Sequence, residues 1–203
     1  GLPPPTSSTP FLLLISVCSW PSLSHLTSGN NFLARGPWPT MMEPGWEAAD
    51  ASRRFPQLII LVTGDGQRRA QFERRFAGLP ARRVHLRTRW LEPEEYPLVV
   101  GSADIGICLH RSTSGLDLPM KIADMFGAGV PVCVLDYGAS LAERVRHGDN
   151  GLLFSNARHL ADILFEMFQA YPADQTYLDR LRHGARRSAR PTWAAGSTAP
   201  PAR

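Results

Sequence analysis

Five residues in one short stretch of the chain have the types and the spacing to bind a phosphorylated ligand: Ser112, Ser114, Gly115, Lys121 and Asp124. The serines and the glycine lie in a loop before a predicted helix, where backbone N–H groups and hydroxyls can bind an anion. Lys121 and Asp124 are three residues apart and share one helical face. A lysine can neutralise a diphosphate, and a carboxylate can accept hydrogen bonds from a ribose diol. This stretch therefore predicts a nucleotide-binding site.

Both charged residues have simpler alternatives. Lys121 can be an ordinary solvated helix residue, although it is the only lysine among 22 Lys and Arg residues, which favours ligand contact. Asp124 can pair with a neighbouring arginine instead of a ribose. The sequence leaves these alternatives open.

Four further residues are candidates because of their positions. Gly64 and Gly66 form a Gly-x-Gly turn after a predicted strand, but a tight strand-to-helix turn needs glycine with or without a phosphate. His110 ends a buried strand, where a histidine either faces the ligand or is a hydrogen-bonded core residue. Glu143 either contacts the ligand or is a carboxylate on a helix surface.

The sequence does not favour a metal cofactor. It has no Asp-x-Asp motif and no His/Cys cluster, so we assign charge neutralisation to the lysine and the helix dipole. The three cysteines are too few and too scattered for a disulfide framework or a CxxC site. Cys108 and Cys133 lie in apolar strand patterns and are predicted to be small buried hydrophobic residues.

The elements that must position these residues alternate between apolar strands and amphipathic helices. Strands are predicted at 58–62, 84–86, 105–110, 130–135 and 152–154. Helices are predicted around Phe72 and Phe76 and at 93–99, 119–128, 139–146, 157–171 and 175–187. This alternation predicts an α/β fold with a doubly wound parallel sheet, whose ligand binds beyond the carboxyl ends of the strands.

Composition predicts where order is concentrated. A chain of 203 residues can form one domain but not two Rossmann-like domains, and its 18 prolines and 17 glycines cluster toward the ends. We expect little order at 1–45, one domain at 46–190 and a disordered tail at 191–203. The apolar run 11–17 is far shorter than the roughly 20 residues that span a bilayer. The chain begins with Gly1, so we expect no signal peptide and interpret the chain as a fragment.

Charge limits the choice of partner. The net charge of +4 comes almost wholly from arginine, without the dense basic and aromatic run of a nucleic-acid-binding protein. A basic bias suits a phosphate-bearing ligand or an anionic membrane surface. We therefore expect no nucleic-acid partner.

One motif resembles a known family. The pattern P-x-K-x-x-[D/E]-x-x-x-x-G-x-P-V is formed by Pro119, Lys121, Asp124, Gly129, Pro131 and Val132. It resembles the donor-site signature of GT-B glycosyltransferases. The strings TRWLEPEEYPLVVGSADIGICLH, LHRSTSGLDLPMKIADMFG and HGDNGLLF resemble the β-mannosyltransferases that act on dolichol-linked chitobiose. The similarity runs over 58–193, roughly two-thirds of the chain.

The resemblance implies a GT-B C-terminal domain that binds GDP-mannose. The diphosphate would lie beside Ser114, Gly115 and Lys121, and the ribose beside Asp124. We expect this domain to be incomplete at its N-terminal edge, because the first strand–helix unit is not recognisable.

The resemblance also assigns the base side of the nucleotide. In related transferases the loop after the preceding strand lies against the base, which makes Trp90 and Leu91 candidates. The sequence departs from the family at Arg111, where a smaller polar residue is usual. An arginine there either adds a phosphate contact or obstructs the loop.

The implied reaction is inverting transfer of the first, β-1,4-linked mannose to dolichol-diphosphate-chitobiose in N-glycan precursor synthesis. The resemblance places it at the cytosolic face of the endoplasmic reticulum membrane, although this chain alone can be cytosolic. Residues 1–45 are too short to form the acceptor-side domain, so the isolated chain is predicted to have little or no activity.

Two alternatives remain open. One is a non-catalytic truncated paralogue that acts as a scaffold or partner of other glycosyltransferases of the endoplasmic reticulum. The other is an incompletely folded product of a damaged reading frame, which the unusual amino-terminal segment suggests.

Overall fold

A computed structural model of the chain describes residues 11–16, 56–64, 69–77, 84–110, 119–168, 170–171 and 173–189. Six strands in these ranges form one sheet: β1 (Phe11–Ser16), β2 (Leu58–Thr63), β3 (Val84–Arg89), β4 (Ile105–Cys108), β5 (Val132–Leu135) and β6 (Gly151–Phe154). All neighbours are parallel, in the order β3-β2-β1-β4-β5-β6. The strand order reverses between β1 and β4. The predicted doubly wound parallel sheet is therefore confirmed.

Strand β1 was not predicted and lies in the centre of the sheet. Sequence analysis expected little order throughout 1–45 and did not recognise the first strand of the domain. In the structure, Leu14 pairs with Leu61 on one side and Gly106 on the other, and its side chain is fully buried. A six-residue apolar run among prolines and serines carries no periodic signal, and the two strands that flank it decide its conformation.

The described residues include five α-helices: α1 (Arg69–Ala77), α2 (Tyr96–Ser102), α3 (Met120–Gly127), α4 (Ala157–Phe168) and α5 (Thr176–Ser188). The first three lie between strands, and α4 and α5 follow β6. The predicted helix at 139–146 is instead a 3₁₀ helix, Ala139–Glu143. It stops early because the Arg146 N–H donates to Asn150 Oδ1 at 2.7 Å, which turns the chain into the 148–151 loop.

Two apolar clusters pack on opposite faces of the sheet, because alternate strand residues point to opposite sides. One cluster joins Ile60, Val62, Ile105 and Ile107 to α1, α4 and the start of α5. The other joins Val132 and Val134 to α2 and α3. The predicted apolar face of α3 is confirmed, since Ile122, Met125 and Phe126 are all buried.

Helix α5 fixes the turn that precedes β6. Asn150 is fully buried, and its amide Nδ2 donates to Arg144 O and to Ser188 Oγ, each at 2.8 Å. A Cβ on Gly184 would lie 2.0 Å from Asp149 O, so the backbones of α5 and this turn are in direct contact. The C-terminal half of α5 is thereby held against the turn that leads into β6.

Candidate functional site

Four of the candidate residues that the structure describes closely follow a strand: Gly64, Trp90, Leu91 and His110. In a parallel sheet all carboxyl ends are at one edge, and a crevice forms where the strand order reverses. His110 follows β4, which borders this reversal, and α3 begins ten residues later, at Met120 after Pro119. Lys121 is therefore in the first turn of a helix that begins at this edge.

One side chain that sequence analysis missed, Tyr96, contacts both Lys121 and Asp124. The Lys121 Nζ lies 5.6 Å from the centre of the Tyr96 ring, within the range of a cation–π contact. The Tyr96 hydroxyl donates to Asp124 Oδ2 at 3.4 Å. Tyr96 begins α2, which packs against α3, and its ring is half-buried against the second apolar cluster. The two charged candidates thus share one aromatic neighbour.

A second aromatic contact crosses the ends of β4 and β5. The rings of His110 and Tyr137 meet edge to face, with 6.2 Å between their centres. His110 is half-buried, and Tyr137 packs against the same apolar cluster as Tyr96. Gly138 follows with a φ of 141°, a conformation that favours glycine and turns the chain away from β5. His110 therefore lies at the rim of the edge and does not enter the core.

The two residues expected on the base side differ in exposure. The Trp90 side chain is 57% exposed, whereas Leu91 is only 8% exposed. Trp90 consequently offers a ring surface to a ligand, and Leu91 mainly anchors the loop in the core. Gly64, at the end of β2, has a φ of 129°, and its N–H donates to Arg89 O at 3.2 Å. This contact joins the residue after β2 to the last residue of β3.

Other candidates are less well defined. Glu143 is exposed at the end of the 3₁₀ helix. Gly66 and the loop residues Ser112, Ser114 and Gly115, like Arg111, lie outside the described residues, so their predicted roles stay predictions. No group of three or more His, Cys, Asp or Glu side chains in the described ranges is arranged to hold a metal ion.

Burial raises the pKa of the Cys133 thiol to about 12, which makes it unreactive. Both Cys133 and Cys108 are buried free thiols, as predicted.

A cavity of about 540 Å³ lies between α1 and β3. In its wall, Glu73 accepts hydrogen bonds from Thr88 and Arg69, which hold the pKa of the Glu73 carboxyl below its ordinary value. The Arg69 guanidinium also donates to Thr88 O at 3.1 Å. These groups are already hydrogen-bonded to one another. The cavity lies beside the outer strand β3, away from the place between β1 and β4 where the strand order reverses.

Comparison with known proteins agrees with this architecture. Residues 46–169 match the profile of the family described as glycosyl transferases group 1. The C-terminal domain of the group 1 glycosyl transferase LpcC from Francisella tularensis is similar in fold, with a TM-score of 0.57 at 15% identity. That alignment covers 88% of this chain and 83% of the LpcC domain.

Two curated relatives share more of the sequence. "UDP-glycosyltransferase TURAN" from Arabidopsis thaliana is 45% identical over 139 residues, which cover 68% of this chain and 30% of the relative. "Chitobiosyldiphosphodolichol beta-mannosyltransferase" from Mus musculus is 43% identical over 139 residues, which cover 68% of this chain and 29% of the relative. The chain thus spans about 30% of the length of these proteins.

Proposed function

Because the chain belongs to the group 1 glycosyl transferase family, we propose that the carboxyl edge of its sheet binds the nucleotide diphosphate of a sugar donor. The observation that carries this proposal is the joint placement of Lys121 and Asp124 around Tyr96 at the start of α3. A cation and a carboxylate at that position match the two ends of a ribose diphosphate.

Lys121 would neutralise the diphosphate. Its ammonium is in the first turn of α3, where the helix dipole also favours negative charge. When the sugar–phosphate bond breaks, negative charge grows on the leaving diphosphate, and a cation fixed there stabilises the transition state. The predicted contacts from Ser112, Ser114 and Gly115 would add N–H and hydroxyl donors to the same phosphates.

The remaining residues would recognise the rest of the donor. The exposed Asp124 carboxylate accepts hydrogen bonds, which suits the ribose hydroxyls. Trp90 has a ring free enough to lie against the base, and His110, held by Tyr137, is at the rim where a sugar would extend. We take the donor to be GDP-mannose, as the resemblance implies, and no metal to be required.

The proposed reaction is an inverting mannosyl transfer. The acceptor hydroxyl attacks the anomeric carbon from the face opposite GDP, the bond to the diphosphate breaks, and the hydroxyl proton passes to a general base. The acceptor would be dolichol-linked chitobiose, at the cytosolic face of the endoplasmic reticulum membrane. No helix in the described part of the chain is long and apolar enough to cross a membrane. Since the chain spans about 30% of its relatives, we expect the isolated chain to bind donor with little or no transfer.

The test is a calorimetric titration of the folded chain with GDP, GDP-mannose, UDP and ADP, with thermal unfolding measured in parallel. We expect GDP to bind and raise Tm, because a ligand of the native state stabilises it. Lys121→Ala should weaken GDP binding about tenfold, the effect of losing roughly 1.4 kcal/mol from a charge-assisted contact.

Arg158→Ala is the matched control. Arg158 is an exposed base on α4 that pairs with Asp162, and its loss should leave GDP affinity unchanged. Tighter binding of UDP than of GDP would refute guanine as the nucleotide base of the donor. Absence of binding by any nucleotide diphosphate at millimolar concentration, in a sample that unfolds cooperatively, would refute the proposed site.

A further inference from the structure

Tyr96 contacts both Lys121 and Asp124, and the sequence analysis assigned it no role in the donor site. It is the first residue of α2, whereas Lys121 and Asp124 are on α3. Its ring faces the Lys121 ammonium at 5.6 Å and its hydroxyl contacts Asp124 at 3.4 Å. One side chain therefore contacts both charged groups from the neighbouring helix.

An aromatic ring is a suitable support for a ligand-binding lysine. The lysine stem has about 2 kcal/mol of rotamer entropy, part of which is lost whenever the ammonium is held in one place. A ring holds the ammonium through its π face without cancelling its positive charge. Restricting the side chain before the ligand arrives reduces the entropy lost on binding.

The Tyr96 hydroxyl acts on Asp124 in a different way. Asp124 is exposed, and the donor at 3.4 Å orients one of its carboxylate oxygens. This distance is longer than the about 2.7–2.8 Å of a strong O–H···O bond, so the contact is a weak restraint. The other carboxylate oxygen of Asp124 is the one that we assign to the ribose diol.

We propose that Tyr96 is a positioning residue of the donor site, whose ring places Lys121 for the diphosphate and whose hydroxyl orients Asp124 for the ribose. This inference rests on the proposed function and extends it to a third residue. It predicts that the ring and the hydroxyl affect different parts of the same ligand.

The experiment compares Tyr96→Phe, which keeps the ring, with Tyr96→Leu, which removes ring and hydroxyl. Affinities for GDP, guanosine and 2′,3′-dideoxy-GDP are measured by calorimetry for each protein. The guanosine/GDP ratio of Kd values reports the diphosphate, and the dideoxy-GDP/GDP ratio reports the ribose hydroxyls. If UDP binds better than GDP, the uridine series gives the same two ratios.

Tyr96→Leu should lower the guanosine/GDP ratio about two- to fivefold, the range for an exposed cation–π contact. Tyr96→Phe should leave the guanosine/GDP ratio unchanged. Both Tyr96→Phe and Tyr96→Leu should lower the dideoxy-GDP/GDP ratio about twofold, because both remove the hydroxyl. In a Lys121→Ala background, Tyr96→Leu should no longer change the guanosine/GDP ratio, because the two effects act through one contact.

A matched control exists on α5, where the Tyr177 ring lies 4.8 Å from the Arg180 guanidinium. Tyr177→Leu removes a similar cation–π contact and should change neither ratio. If both Tyr96 variants weaken all three ligands by one common factor, or change neither ratio, the positioning role is refuted while the donor site stands. If the unmodified chain binds none of these nucleotides, both proposals are refuted.

Discussion

At the scale of single residues, Trp90 and Leu91 show how neighbours from one loop take different tasks. Leu91 is buried and anchors the loop after β3, and this anchoring leaves Trp90 exposed at the carboxyl edge. The exposed face of the Trp90 ring is available to stack against a base at that edge. We therefore expect Trp90 to contribute to binding and not to folding.

Trp90→Ala is predicted to weaken GDP binding about tenfold, because stacking on one base contributes about 1–3 kcal/mol. Binding of inorganic pyrophosphate, which has no base, should not change. Leu98→Ala is the control, since Leu98 is an even more exposed apolar residue, on α2, with no proposed ligand contact. Calorimetry with both ligands gives the comparison, and equal losses for GDP and pyrophosphate would contradict a base-side role.

Asp149 makes stability depend on pH. Its hydrogen bond with Arg146, followed by attraction to Arg187, holds the pKa of the Asp149 carboxyl below its ordinary value of 3.8. A lowered folded-state pKa stabilises the fold above the unfolded pKa, and this contribution is lost as pH falls through the folded pKa. Because the side chain is about a third exposed, the contribution at neutral pH is under about 1 kcal/mol.

Asp149→Asn should therefore lower the free energy of unfolding at pH 7 by a few tenths to about 1 kcal/mol. The difference from the unmodified chain should narrow as pH falls below about 4. Urea unfolding at several pH values measures this. A difference that stays constant from pH 7 to pH 3 would show that the ion pairs of Asp149 do not stabilise the fold.

At the scale of elements, helix α5 determines where the turn before β6 lies. Gly184→Ala would bring a methyl group to 2.0 Å from the Asp149 carbonyl oxygen, and backbone cannot rotate away as a side chain can. We predict a loss of about 1–3 kcal/mol in the free energy of unfolding, the range for overpacking.

Gly101→Ala is the matched helical control. A Cβ on Gly101, in α2, has no atom of the described residues within 4 Å, so alanine should be neutral or stabilising by up to about 1 kcal/mol. Urea denaturation of both variants tests the contact. Equal stability of Gly184→Ala and Gly101→Ala would mean that α5 does not pack closely on the turn.

Element boundaries depended on contacts that local patterns do not contain. The apolar face of α3 was predictable, because Ile122, Met125 and Phe126 repeat at helical spacing. The early end of the 3₁₀ helix was not predictable, since it depends on the Asn150 side chain binding the Arg146 N–H. A buried polar side chain placed by tertiary packing here decides where a helix stops.

At the scale of the whole molecule, the strand order β3-β2-β1-β4-β5-β6 places the crevice between β1 and β4. The most informative motif follows β4, one of the two strands that border this reversal. The fold likeness to a C-terminal group 1 glycosyl transferase domain agrees with this arrangement. The GT-B donor-domain fold expected from the motif is thus supported by topology and by comparison.

By itself, the sequence determined the parallel α/β architecture and the shared helical face of Lys121 and Asp124, because both follow from periodicities along the chain. Only the tertiary structure decided that residues 11–16 form the central strand and that Tyr96 joins the two charged side chains. Both features depend on contacts between segments that are far apart in sequence. The free energy of such contacts comes from packing in three dimensions, which no local pattern of residues encodes.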